Sequence, residues 1–130
     1  MSIEENKSIV LAFIGNISKG NYDKAFNLLA DDATWWVAGN LPGSGIYPKE
    51  KIPEIMSFLS SAFPKGIEIT VTHLIGEGDY VAVGGSSYAE IAKDKIYQNT
   101  YHWLFEVKEG SVRAIREYMD TLHVKEILYG

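Results

Sequence analysis

The stretch Phe105-Glu106-Val107-Lys108-Glu109-Gly110-Ser111-Val112-Arg113-Ala114-Ile115-Arg116-Glu117-Tyr118-Met119-Asp120 decides the architecture. Its two halves are rich in β-branched and aromatic residues, which favour pleated surfaces. Glu109-Gly110 joins them over a spacing that reads as an antiparallel hairpin. Side chains alternate across a strand, so the second half divides into two sets. Ile115, Glu117 and Met119 form one; Ala114, Arg116, Tyr118 and Asp120 form the other.

Working outward, Ile96 to Lys108 reads as one long strand and Tyr80 to Ile91 as another, with Lys93-Asp94-Lys95 turning between them. Gly84-Gly85 in mid-strand marks a bulge where the sheet bends. Ile67, Ile69, Val71 and His73 alternate with Glu68, Thr70, Thr72 and Leu74, which predicts a further strand. Before Gly66 the period becomes helical. Ile9, Val10, Phe13, Ile14 and Ile17 predict a helix from about Ile3 to Lys19, with Ser2 and Glu5 as a capping box and Gly20 as its stop. Asn21 reads as the cap of a short second helix with Tyr22, Ala25, Phe26 and Leu29 on one face, ended by Asp31-Asp32. Ala33 to Ala38 reads as a strand and Gly39 to Tyr47 as a Gly/Pro loop. A third helix opens at Pro48 or Lys49, buries Ile52, Ile55, Met56 and Leu59, and is closed by Gly66. Thr121 to Leu128 is a last helical stretch. Helices first and long antiparallel strands after define an α+β class. Three N-terminal helices laid on a curved, mainly antiparallel sheet leave a cone-shaped hole to be filled by side chains or by a ligand.

Composition excludes several functions. A chain of 130 residues reads as a single domain, 1–130, long enough to bury a substantial core. It has no cysteine, which removes disulfide scaffolds, thiolate-bound zinc, iron–sulfur clusters and thiol catalysis. A net charge of −5 without a basic cluster argues against nucleic acid as a partner. No run approaches the roughly 20 apolar residues of a membrane span. The N-terminus lacks a basic segment followed by an apolar one, so a cytoplasmic location is expected. His73, His102 and His123 have no metal-binding spacing, and no glycine-rich phosphate loop follows a strand, so neither a metal nor another cofactor is expected.

The element order resembles the NTF2-like superfamily, and within it the SnoaL-like and ketosteroid-isomerase-like branch. Residues 30–36 (Ala-Asp-Asp-Ala-Thr-Trp-Trp), 41–50 (Leu-Pro-Gly-Ser-Gly-Ile-Tyr-Pro-Lys-Glu) and the final hairpin carry the resemblance, in matching order and spacing. It implies that the apolar-plus-acid set of the last strand faces the pocket: Ile115, Glu117 and Met119. The same register places Asn99, Tyr101, Trp103 and Phe105 inside, and His102, Leu104, Arg116 and Tyr118 outside. Glu117 falls where epoxide hydrolases of this fold carry a catalytic Asp. A carboxyl between Ile115 and Met119 would be desolvated and its pKa raised, which suits a general acid or base. The competing reading pairs Glu117 with Arg116, Arg113 or a lysine at the sheet edge.

The steroid-isomerase constellation itself is mostly missing. Its base falls near Val37, its helix-one tyrosine near Phe13 and its oxyanion-stabilising acid near Asn99. The epoxide-hydrolase strand should carry an Arg and an Asp, where this chain has Ser86, Ser87, Tyr88 and Glu90. The resemblance therefore implies Glu117 as acid/base, with Asn99 and Tyr101 as hydrogen-bond partners. Phe13, Trp35, Val37, Tyr47, Phe58, Tyr88, Trp103, Ile115 and Met119 are the candidate substrate-binding residues. Asp120 reads as a helix cap in preference to a catalytic group, His73 as an exposed or satisfied side chain in preference to a base, and His102 as an interface residue. The expected function is a small cofactor-independent enzyme that isomerises, cyclises, hydrates or opens an epoxide on a small apolar or polyketide-like molecule. The alternative is a non-catalytic module of the same fold that binds an apolar ligand or another protein. The half-apolar outer face of the sheet predicts a two-fold homodimer, which sedimentation at micromolar concentration reads directly; a monomer there refutes it.

Overall fold

The computed structural model describes residues 2–130. Helix α1 spans Ile3–Ser18 and α2 Tyr22–Phe26; strand β1 spans Leu29–Val37 and β2 Gly45–Pro48. A 3-10 turn, Lys49–Lys51, leads into α3, Ile52–Ala62. Strands β3 (Glu68–Glu77), β4 (Tyr80–Ala92), β5 (Lys95–Lys108) and β6 (Ser111–Met119) follow, then α4 (Thr121–Val124) and a π-helical turn, Lys125–Tyr129. The six strands form one sheet in the order β2-β1-β6-β5-β4-β3. All neighbours are antiparallel except β1 and β6. The α+β class, the mainly antiparallel sheet and the N-terminal helices agree with the sequence reading.

Helix α1 is specified at both ends. The Ser2 hydroxyl accepts from the Glu5 N–H and the Glu5 carboxylate accepts from the Ser2 N–H, each at 3.1 Å. Gly20 supplies the positive φ that ends it. One stripe of α1, comprising Val10, Phe13, Ile14 and Ile17, is buried against the sheet. Asn21 departs from expectation: its side chain makes no capping bond and donates instead to Asn16.

Two local expectations yield to sheet pairing. The second helix stops at Phe26, and Leu29 through Asp32 join β1. Leu29 pairs with Val112 of β6, and the Leu28 carbonyl accepts from the Val112 N–H at 2.8 Å. Backbone bonds to an existing strand outweigh the weak preference of a short isolated helix. Likewise Gly45–Tyr47, read as the end of a loop, and Pro48, read as one of two starts for the third helix, become an edge strand opposite Thr34–Val37.

The bulge lies on β3, across from the glycines that announced it. Val71 pairs with Gly85 and His73 with Gly84, which leaves Thr72 as the extra residue. The slip moves His73 out of the face of Ile69 and Val71, and Leu74 packs on the core instead. The His73 ring then occupies the space a Gly84 side chain would need, while a Cβ on Gly85 would stand 2.7 Å from the Thr70 carbonyl oxygen and 3.1 Å from Trp103. His73 is therefore an exposed side chain and no base in the interior.

On the outer face of the sheet, Arg116 stacks 4.2 Å over Trp36 and donates from Nε to the Tyr118 hydroxyl. Trp36 and Tyr118 meet edge to face at 5.2 Å. Leu104 and His102 lie on the same face, as parity predicts.

Candidate active site

Strand parity places the chemistry. On β6 Ile115 is 1% exposed, and Glu117 and Met119 follow on its face. On β5 the inward set is Tyr97, Asn99, Tyr101, Trp103, Phe105 and Val107. Registry sets Trp103 opposite Glu117 and Tyr101 opposite Met119. Helices α1 and α3 close the other side. Between them lies a cavity of about 280 Å³.

Of the expected site residues, Phe13, Trp35, Val37, Tyr47, Phe58, Tyr101, Trp103, Ile115, Glu117 and Met119 all line this cavity. Tyr88 does not. Parity on β4 buries Val81, Val83, Ser87 and Ala89 and turns Tyr88 outward, where it is exposed. Asn99 faces inward but stands outside the lining. Its Nδ2 donates to the Tyr97 hydroxyl at 2.9 Å and to the Asp120 carbonyl at 3.1 Å. Its Oδ1 accepts from the backbone N–H groups of Thr100 and Asp120. With both donor and acceptor sides engaged, Asn99 ties the end of β6 to β5 rather than presenting a free polar group. Asp120 caps α4, accepting from Leu122 and His123 N–H, as read from the sequence. His123 accepts from the Gln98 N–H and stacks on Tyr97.

Sequence reasoning missed Tyr97 and the contribution of Ser87. Extending the Asn99, Tyr101, Trp103 register by two residues would have found Tyr97. Its hydroxyl lies 2.8 Å from that of Tyr101, and the Ser87 hydroxyl donates to Tyr101 at 3.1 Å. Burial pushes the pKa of both phenols up, so both are neutral across the physiological range. The rim was also illegible: Tyr129 from the π-helical turn stacks on Phe58 at 5.8 Å, and Tyr47 donates to the Gly43 carbonyl.

Glu117 is the carboxyl group in the depth of this cavity; Glu54, also on its wall, is exposed at the rim. The ion pairs among the described residues are Lys7–Glu4, Lys65–Glu90 and Arg113–Asp32, so none of them holds Glu117. The Trp35 indole N–H donates to Glu117 Oε1 at 3.1 Å. Desolvation pushes the Glu117 pKa from 4.5 up to about 7; the Trp35 bond, and more weakly the Trp103 indole, pull the other way. Glu117 is half-buried and lines the cavity. A carboxyl poised near neutrality among aromatic rings can take up and return a proton. Among the described residues no group of three or more His, Asp or Glu side chains converges as a metal-binding set, and no helix is long and apolar enough to cross a membrane.

A curved sheet and helices enclosing an apolar cone define a class by fold, the small α+β proteins with the NTF2-like cone. Within it the chain belongs to the SnoaL-like domain family, whose model matches residues 10–118. Among solved structures, an NTF2-like protein from Burkholderia xenovorans is 23% identical over 98% of both chains, with a TM-score of 0.76. Bal32a, from a soil-derived mobile gene cassette, is 20% identical over 96% of this chain and 97% of its own, with a TM-score of 0.85. An LEH-like epoxide hydrolase of M. tuberculosis is 21% identical over 98% of this chain and 92% of its own, with a TM-score of 0.76. At such identities the likeness shows the shared fold. No curated protein sequence matches the chain.

Proposed function

We propose that the protein is a cofactor-independent acid–base catalyst acting on a small apolar molecule bound in the cone, with Glu117 as the group that carries the proton. The observation that supports this reading is the desolvated Glu117 carboxyl, with a pKa of about 7 and no cation paired to it, on the wall of an aromatic cavity. A structural carboxylate is normally paired or solvated, and burying one unpaired costs several kcal/mol, on the order of 3 or more. That cost is retained where the group has work to do. Trp35 holds the carboxyl through its indole N–H, and Phe13, Phe105 and Ile115 line the same cavity.

The ionised form is the base, so activity should rise with pH through the pKa and then level off. Solvent deuterium incorporation into a panel of small apolar ketones, followed by NMR from pH 5 to 9, tests this. The expected profile has its midpoint near about 7. A panel showing no acceleration over buffer, or one independent of pH, overturns the reading in favour of a ligand-binding module.

A further inference from the structure

The acidic and basic side chains on the cavity wall are all of one kind. Among the described residues that line it, Glu117 in the depth and Glu54 at the rim are the carboxyl groups, and no Lys, Arg or His joins them. Burial pushes the Tyr97 and Tyr101 pKa values up, so neither phenol adds a charge. Most of the remaining wall is aliphatic or aromatic, and Phe13, Trp35, Trp103 and Phe105 on it are all buried.

The hydrogen bonds that Glu117 makes do not fill its carboxylate. An ionised carboxylate offers about four acceptor sites. The Trp35 indole N–H takes one at 3.1 Å, and the Trp103 indole, more weakly, a second. Both indoles approach by their N–H edge, so their rings stand beside any group that touches the carboxyl. The remaining acceptor sites are left to the occupant of the cavity.

What an occupant does to this carboxylate depends on its own charge. A neutral hydrocarbon takes water away from it and returns nothing. An anion adds repulsion in a medium that screens weakly. A monocation offsets the charge, and the filled cavity is neutral at its depth. The rings then sort one cation from another. Their π faces attract a cation within about 6 Å, but they cannot replace the tightly held water of a metal ion. A nitrogen clothed in carbon holds its water loosely and suits such walls.

We propose that the cavity selects an organic ammonium cation, a tertiary or quaternary nitrogen on a small apolar body, held by an ion pair with Glu117 and by the rings of Trp35 and Trp103. This names the class of occupant for the acid–base reading above, and rests on that reading for the cone being the ligand site.

Three probes of similar size and shape separate charge from fit: phenyltrimethylammonium, tert-butylbenzene and benzenesulfonate. None of them titrates between pH 5 and pH 8, so any pH dependence belongs to the protein. Binding is followed by indole fluorescence. At pH 8 phenyltrimethylammonium should bind wild type about ten-fold or more tighter than Glu117→Gln, the size expected for a desolvated charge pair. tert-Butylbenzene should bind the variant at least as tightly as wild type, and benzenesulfonate should bind the variant more tightly. In wild type the affinity for the cation should fall about ten-fold or more from pH 8 to pH 5, because the carboxylate is protonated as pH drops through about 7. Glu117→Gln should flatten that profile, which separates Glu117 from Glu54 at the rim and from His123 stacked on Tyr97. Equal affinity of wild type and variant for the cation at pH 8 overturns the assignment. A wild-type affinity for the cation that is the same at both pH values overturns it even if the variant fails to fold. Charge preference without deuterium exchange refutes the acid–base reading alone; exchange without charge preference refutes this assignment alone.

Discussion

Glu117→Gln is expected to abolish proton transfer and, at the same time, to make the protein more stable at pH 8. Losing a positioned acid or base costs about 10²–10⁴-fold in rate. The stability effect follows from linkage. The folded-state pKa of Glu117 lies above its unfolded value, so between about 4.5 and about 7 the native state holds more protons than the unfolded one. The contribution of this group to stability is complete below the unfolded pKa and is lost as pH rises through about 7. The loss corresponds to at most about 3 kcal/mol, reduced to the extent that solvent reaching the cavity screens the charge. A glutamine of the same shape still accepts from the Trp35 indole and never ionises. Urea unfolding of both proteins should therefore give nearly equal stabilities at pH 4, below the unfolded pKa, and a more stable variant at pH 8. Equal stabilities at both pH values would place the Glu117 carboxyl in water.

The largest loss of stability is expected from Phe105→Ala, about 3–5 kcal/mol. Phe105 is 1% exposed, meets Phe13 edge to face at 5.8 Å and pairs with Val81 and Ile115 on the flanking strands. Its neighbours belong to three different elements and cannot collapse together into the vacated space. The deletion opens into the existing cavity, so the variant should also admit larger ligands. Phe58→Ala removes a ring that is 38% exposed at the rim, and its cost should be a small fraction of this. Denaturant midpoints of the two variants test the contrast. A Phe105→Ala loss no greater than that of Phe58→Ala would show that the ring is not part of the packed core.

How much of the site was legible follows from one property of strands. Their period of two lets a single sidedness decision sort every residue at once. On β6 and β5 that decision placed Ile115, Glu117, Tyr101 and Trp103 inside and Arg116, Tyr118 and His102 outside, and the structure agrees. The same rule fails after a bulge, which is why His73 lies outside although Val71 faces in. Tyr88 shows a different limit. An aromatic ring reads as lining material, but the phase of β4 buries its neighbours Ser87 and Ala89 instead. Asn99 was placed on the right face, yet the backbone of Asp120 and the hydroxyl of Tyr97 occupy its polar atoms.

The sequence by itself determined the class: amphipathic helices, then long alternating strands and a tight final hairpin, with one acid in an apolar strand face. These are local signals, carried by periodicity and turn chemistry within about twenty residues. Tertiary structure alone decided the length of β1, the pairing of β2, the partner of each hydroxyl and the pKa of Glu117. Each depends on residues far apart in the chain: Leu29 with Val112, Trp35 with Glu117, Ser87 with Tyr101. Hydrogen bonding and desolvation act through space, so a carboxyl's chemistry is set by what folds around it and not by its neighbours in sequence.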